Sequence, residues 1–403
     1  MLINLKRTYE TMDKYGLDVL IASTKGNVTY ATDYWPLQYF FRPGGAPSYC
    51  IIPRDKKKCP AIVMSMMDLS PWINCKSWVE EIWSYSSYYV DSFCKLSELS
   101  RDERRLKEKE NELRITHRNF NTPLEALFSA IRDKGFSNSK IGLDEINIWP
   151  QDLEIFRKEF SKANIIFAYE IFREIRKIKT SEEIKRIRVS TEITERAAEE
   201  ACEAIKEGIT EIELVNIFQS AVGKQGAIPF LTYFGCGTGS ALTDRNPTNY
   251  RLKKGDFVMF DVGCIYQHYF SDIARTVVLG EPSSKQIKYY QAIKEGRSKA
   301  LNILKPGVKA KEIFEVAVKS IRDSGIPHFK RHMIGHSTGV EPYDPPIIEP
   351  DCNLPIEENM VINIETPYYE LGFGGIQLED TLLINSKGFE YISSLPQELR
   401  IIR

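Results

Sequence analysis

The stretch FVMFDVGCIYQHYFSDIARTVVLG, residues 257–280, constrains the fold most, because it places acids inside apolar strands. It predicts two strands joined by a loop, with Asp261 after four apolar residues and Asp272 directly before Ile273. An ionised carboxylate in an apolar setting is costly unless another group compensates its charge. Neighbouring strands of a hairpin let the two carboxylates face each other, so they must share a proton or bind a cation.

The composition narrows the class of protein. The chain has 403 residues, enough for two or three domains. Its formal net charge of -1, with no dominant basic block, argues against a nucleic-acid partner. No apolar run approaches the roughly 18 residues that span a bilayer, so we expect no membrane association. The 8 cysteines are scattered singly without a CxxC pair, which favours reduced thiols and a cytoplasmic location.

Two halves of the chain differ in pattern. In residues 1–172, strand signals such as LDVLIAS (17–23) and SYCIIPRD (48–55) alternate with helix signals, which predicts an α/β domain. A capping box at Thr180 then opens a long helix, and strands dominate further along the chain. We therefore predict a domain boundary near residue 172 and a second domain over residues 173–403.

More acids and two histidines follow in strand-like segments of the second half. RHMIGHSTGVEPYDPP contains His332 and His336, MVINIETPYYE ends an apolar run at Glu365, and GGIQLEDTLLIN holds Glu379 in mid-strand. Each has a simpler interpretation, since one buried acid is often a salt-bridge partner and His336 alone is more often structural. Asp380, beside Glu379, is expected on the opposite face of its strand and at the surface.

Together these residues predict a metal site. Four carboxylates with one imidazole suit hard or borderline divalent ions such as Mn, Fe, Co or Zn. Two divalent cations balance four carboxylates, whereas one leaves an excess of negative charge. The residues therefore favour two ions, and the ions would compensate the charges of the buried aspartates.

The same residues, in this order, resemble the pita-bread superfamily, which includes Xaa-Pro dipeptidases and aminopeptidases, methionine aminopeptidase and creatinase. Their contexts are FDVG, SDIARTVVLG, IGHSTG, NIETP and IQLEDTLLI, and the resemblance is strong over residues 176–403. It implies an α+β fold, in which a pita-bread catalytic domain follows an α/β creatinase-type N-terminal domain. It also implies a two-metal centre bound by Asp261, Asp272, His336, Glu365 and Glu379.

The resemblance further implies roles for these ligands. Asp272 and Glu379 would bridge the ions, Asp261 would chelate one of them, and Glu365 would double as a proton shuttle. The implied activity is metal-dependent hydrolysis of an amide or peptide C–N bond in a small molecule or short peptide. Two alternatives stay open, a metal-dependent lyase acting on a small carboxylate-bearing substrate and an inactive binding module on the same scaffold.

Two positions depart from the superfamily's peptidases. Tyr343 stands where they usually place a second histidine, and the loop around Asp244 and Arg245 lacks another. A tyrosine still donates a hydrogen bond, but it titrates near 10 rather than near 7. His332 does occupy the family's position before the ligand histidine, so the expected catalytic residues are Glu365, His332 and Tyr343. We expect weak or absent cleavage of Xaa-Pro dipeptides.

The stretch YATDYWPLQYFFRPGGAPSYC, residues 30–50, is dense in aromatics around Arg42. In creatinase-like dimers the neighbour's N-terminal domain lines the active site, so we expect a homodimer. Arg42, with Trp35 and Phe41, would then recognise a carboxylate or cation of the substrate. The simpler interpretation is a buried strand and turn with a surface arginine. Arg245 is a second candidate for binding a substrate carboxylate.

Overall fold

The computed structural model describes residues 1–38, 46–91, 93–243 and 245–403. The chain divides into two compact units, Met1–Arg176 and Lys177–Arg403. The predicted boundary at residue 172 lies inside the last helix of the first unit. None of the helices in the described ranges combines the length and apolar content that a bilayer span requires.

The first unit is a sheet with helices, as its alternating sequence predicts. Its strands are β1 Val19–Ala22, β2 Tyr49–Pro53, β3 Ala61–Ser65, β4 Glu81–Tyr85, β5 Asn119–Phe120, β6 Lys140–Leu143 and β7 Asn164–Phe167. Across the described residues they follow the order β5-β4-β3-β2-β1-β6-β7. The core packs Ile21, Ile51 and Val63 of the sheet against Leu127 and Phe156 of two helices. Its helices are α1 Leu5–Tyr15, α2 Lys25–Thr32, α3 Leu69–Ile73, α4 Arg101–Ile115, α5 Pro123–Asp133, α6 Pro150–Glu159 and α7 Tyr169–Arg176.

The second unit is dominated by one large sheet. The strands of this unit are β8 Ile228–Cys236, β9 Phe257–Tyr266, β10 Tyr269–Phe270, β11 Ile273–Leu279, β12 Gly335–Ser337, β13 Asp344–Ile347, β14 Val361–Glu365, β15 Tyr368–Glu370, β16 Gly374–Ile376, β17 Glu379–Asn385, β18 Gly388–Tyr391 and β19 Arg400–Ile402. The main path of the large sheet runs β10-β9-β11-β17-β14-β12-β13, with β8 paired to β9, β18 to β17 and β19 to β11. Its helices are α8 Ser181–Glu203, α9 Glu211–Lys224, α10 Ser284–Ile303 and α11 Ala310–Asp323.

Local sequence signals set the starts of the helices that cover this sheet. The Thr180 side chain accepts from the Glu183 backbone N–H, and the Glu183 carboxylate accepts from the Thr180 N–H, which is the capping box that the sequence predicts. Thr210 and Glu213 repeat this arrangement at α9. Each reciprocal pair satisfies backbone donors that a helix start leaves without intrahelical partners.

Two pairs of helices pack on one face of the large sheet. Ala197 of α8 and Phe218 of α9 pack with Phe260 and Val262 of β9 in one apolar cluster. Residues of α10 and α11 form a second cluster with Ile362 and Ile364 of β14 and with Leu382 of β17. Side chains alternate along a strand, so Asp261, Glu365 and Glu379 point to the opposite face.

Candidate metal centre

One row of residues across the sheet brings three of the predicted ligands into line. Asp261 on β9 pairs with Ala274 on β11, Ala274 pairs with Glu379 on β17, and Glu379 pairs with Glu365 on β14. Directly paired residues share a face of a sheet. The register therefore collects these carboxylates on the face away from the helices.

Asp272, directly before β11, and His336, in the middle of β12, complete the cluster. The ligand atoms of Asp272, His336 and Glu379 all lie within 4.8 Å of one another, and the three residues are buried. His336 Nε2 lies 3.7 Å from Asp272 Oδ2 and 3.9 Å from Glu379 Oε1, too far for hydrogen bonds. Gly335 precedes the histidine because a Cβ there would meet the Asn363 carbonyl oxygen at 2.2 Å.

The imidazole of His336 has the tautomer that metal binding needs. Its Nδ1 lies 3.2 Å from the Ser337 carbonyl oxygen, which can only accept, so Nδ1 carries the proton. The lone pair of Nε2 then faces the two carboxylates. Burial lowers the pKa of His336 to about 4, so the ring is neutral at physiological pH. A neutral imidazole with an oriented second nitrogen is the ordinary form of a histidine ligand.

The electrostatics of the cluster favour a bound cation. Burial raises the pKa of Glu379 well above its ordinary value, and the negative charges of Asp272, Glu365 and Asp261 raise it further. Glu379 Oε1 is buried and accepts no hydrogen bond from the described residues. A buried oxygen with no donor, among carboxylates and a neutral imidazole, fits divalent metal ions of the Mn, Fe, Co or Zn type.

Gln377 is a functional candidate that the sequence reasoning missed. Its side-chain Nε2 donates to Asp261 Oδ2 at 3.0 Å and to Glu365 Oε2 at 3.1 Å. Its Oε1 accepts from the Tyr369 hydroxyl at 2.9 Å, which fixes the orientation of the amide. Gln377 stands two residues before Glu379, so the period-2 pattern that placed Glu379 on the cleft face could have indicated it.

The prediction that Asp380 lies at the surface is wrong. It does point away from Glu379, but helices cover that face of the sheet and the residue is 1% exposed. Its carboxylate forms ion pairs with the buried Arg275 and Arg297 and accepts from the Ser393 hydroxyl at 2.7 Å. Arg275 also donates to the backbone carbonyl of Glu379, so this buried group supports the strand that carries the ligand.

The acidic cluster opens into a cleft of about 420 Å³. Tyr343 lies at its edge, where its ring stacks on His336 with centroids 4.0 Å apart. Burial, and then the nearby carboxylates, raise the pKa of Tyr343, so its hydroxyl stays protonated and can donate. His332 is exposed and lines the same cleft. The other lining residues are Phe230, Leu231, Tyr233, Thr243, Met259, Arg331, Met333 and Tyr369.

Of the two predicted substrate-binding arginines, only Arg245 belongs to the described residues. Arg245 forms an ion pair with Glu211, whose carboxylate is fully buried, and it does not line the cleft. Its charge is thus already balanced, and substrate binding by Arg245 stays a prediction. Arg42 and Phe41 fall outside the described residues. Trp35 is described, and its ring lies under Lys25 Nζ at 4.1 Å from the centroid.

The family model of metallopeptidase family M24 matches residues 185–386 of the chain. An Xaa-Pro dipeptidase of Pyrococcus horikoshii is 35% identical over 244 residues, which cover 60% of this chain and 68% of the relative. The crystal structure of the prolidase from that organism superposes with a TM-score of 0.77 at 27% identity, covering 98% of this chain and 99% of the prolidase. An Xaa-Pro dipeptidase structure from Bacillus anthracis has a TM-score of 0.80 at 22% identity, covers 99% of both chains and shows the fold.

The chain therefore belongs to metallopeptidase family M24. The predicted fold, a pita-bread domain preceded by an α/β N-terminal domain, is confirmed. Membership of this family makes the protein a metal-dependent hydrolase and favours neither the lyase nor the binding-module alternative.

Proposed function

We propose that the protein is a two-metal dipeptidase in which Asp261, Asp272, His336, Glu365 and Glu379 hold the ions. The observation that carries the proposal is the register of the sheet, which lines up three buried or half-buried carboxylates beside Asp272 and a neutral His336. Four carboxylates match the charge of two divalent cations. Mn, Fe, Co and Zn all suit this donor set.

The positions of the ligands support the roles we propose for them. Glu379 lies between the strands of Asp261 and Glu365, and Asp272 lies beside it, so these two acids would be the ones to contact both ions. Asp261 at the end of the row would chelate one ion. When bound, the ions supply Lewis acidity and lower the pKa of a coordinated water to near neutrality.

The side chains around the ligands would move protons and orient the substrate. Glu365 is a buried carboxylate whose Oε2 accepts a hydrogen bond from Gln377, and it would accept the proton of the water that attacks the substrate. The Tyr343 hydroxyl, held protonated, would donate a hydrogen bond to the substrate's oxygen or leaving nitrogen. His332, at the exposed side of the cleft, is a second group that could carry a proton.

The substrates we propose are short peptides of the Xaa-Pro kind. The support comes from the relatives, which are Xaa-Pro dipeptidases, and from a cleft of about 420 Å³, which suits a small substrate. We expect low turnover, because Tyr343, a phenol with a raised pKa, stands where the peptidases of the superfamily usually have a histidine. A small non-peptide amide, as in creatinase-like chemistry, is a second candidate that the same substitution favours.

Homodimer formation and a cytoplasmic location remain part of the proposal. The dimer rests on the resemblance to creatinase-type chains, in which Arg42 of the neighbour would reach the site. The location is supported by the scattered cysteines, because none is joined in a disulfide within the described ranges, as expected of reduced thiols.

Conservative substitution of the bridging acids tests the proposal. Asp272→Asn and Glu379→Gln keep the size of each side chain but remove a negative ligand, so metal binding and hydrolysis of an Xaa-Pro dipeptide should both be lost. Asp351→Asn makes the same chemical change at an exposed position and should alter neither. Retention of full metal content and activity in the two bridging variants would reject the proposed site.

A further inference from the structure

Arg331 lines the same cleft as the acidic cluster. Its guanidinium carbon lies 5.2 Å from the centroid of the Tyr369 ring, which gives it an aromatic support. Its Nε is enclosed from solvent, and the guanidinium makes no hydrogen bond or ion pair within the described part of the chain. Arg245 and Arg275 differ from it, because each is balanced by a buried carboxylate.

The charge of the cleft gives this arginine a role. Once divalent ions have balanced the four carboxylates, Arg331 is left as an uncompensated positive charge on the wall. A guanidinium presents a planar pair of N–H donors that matches a carboxylate in two parallel hydrogen bonds. The Tyr369 ring limits the orientation of the guanidinium, so less conformational freedom is lost when an anion binds.

We infer that Arg331 is a specificity-determining residue that binds the free carboxylate of the substrate. The inference rests on the proposed function, because the carboxylate belongs to the same short peptide whose amide bond reaches the metal cluster. A cleft of about 420 Å³ allows one small molecule to contact both walls. The substrate class is therefore narrowed to peptides with an unblocked C-terminus.

The test compares two probes that differ only in this group, N-acetylproline and N-acetylprolinamide, in calorimetric titrations of the metal-loaded protein. The wild type should bind the acid about 10- to 100-fold more tightly than the amide, the scale of one lost charged hydrogen-bonded pair. Arg331→Met should abolish this preference without changing the bound metal per chain. Lys330→Met removes the same charge from the exposed neighbouring residue and should keep the preference.

Two results would overturn the inference. Either Arg331→Met retains the wild-type preference for the acid, or it weakens acid and amide equally, which indicates a packing role. Turnover of glycylproline by the wild type is measured separately. If the wild type cleaves glycylproline but Arg331→Met still prefers the acid over the amide, the inference falls and the proposed function stands. If the acid binds through Arg331 but no dipeptide is cleaved, the proposed function falls and the assignment of Arg331 stands.

Discussion

Removal of the Gln377 amide should weaken metal binding, although Gln377 is not itself a ligand. Gln377→Leu keeps most of the side-chain volume and deletes the donor that contacts Asp261 and Glu365 at 3.0 and 3.1 Å. Hydrogen bonds to charged groups contribute about 1.5–3 kcal/mol each. Both carboxylates would lose a hydrogen bond that helps to orient them, so part of the free energy of metal binding must then be spent on ordering them.

The expected magnitude follows from comparable losses of partners that orient ligands. Such losses lower metal affinity about 10- to 100-fold, which corresponds to about 1.4–2.8 kcal/mol. This loss of binding free energy is about that of one charged hydrogen bond, although the substitution removes two. The smaller value is expected because the bound ions would themselves hold the carboxylates in place. Tyr369→Phe removes only the hydroxyl that orients the Gln377 amide, so its effect should be smaller than that of Gln377→Leu.

The assay is a calorimetric titration of the metal-free protein with Mn²⁺. Gln225→Leu is the matched control, because Gln225 Nε2 donates to the backbone carbonyls of Ile193 and Ala221 and its Oε1 accepts from Arg196 Nε, all away from the cluster. Circular dichroism and the unfolding midpoint of each variant check that the fold is retained. A folded Gln377→Leu protein that binds Mn²⁺ within twofold of the wild-type affinity would show that the Gln377 amide does not support metal binding.

Three further predictions concern the hydroxyl, the acids and the buried arginines. Tyr343→Phe should lower turnover by about 10- to 1,000-fold at unchanged metal content, and a wild-type rate would leave only a packing role. In metal-free protein, the raised pKa of Glu379 contributes stability that is fully present below its ordinary pKa of 4.5 and is lost as the pH rises. The unfolding free energy of Glu379→Gln, measured in urea, should therefore increase relative to that of the wild type as the pH rises. A difference between the two proteins that stays constant with pH would contradict this. Asp380→Asn removes the carboxylate that pairs with the buried Arg275 and Arg297, so it should lower the unfolding free energy by about 3–5 kcal/mol. A loss below about 0.5 kcal/mol, which is the ordinary scatter of surface substitutions, would contradict this prediction.

The pattern of apolar strands interrupted by acids was enough to identify Asp261, Glu365 and Glu379 as a group. Alternation along a strand decides the face of each side chain, and the confirmed fold aligns the three in one row. The sequence also predicted that Asp380 would face the other way. It did not show that helices α10 and α11 cover that face, because burial depends on contacts between segments far apart in the chain.

The residues around the ligands were harder to predict. Gln377 and Arg331 carry no motif of their own, and their importance lies in what they contact: two carboxylates in one case and an aromatic ring at the cleft wall in the other. Arg245 had a suggestive position in the sequence, but Glu211, distant along the chain, balances its charge. Only the folded chain brings such partners together.

We propose that two metal ions, bound by Asp261, Asp272, His336, Glu365 and Glu379, drive hydrolysis of a short peptide. The most direct test measures the rate of Xaa-Pro dipeptide hydrolysis against the number of metal ions bound per chain, starting from chelated protein. We expect no hydrolysis without metal and a rate that reaches its maximum at two ions per chain. Hydrolysis at full rate in the chelated protein, or none with two ions bound, would contradict it.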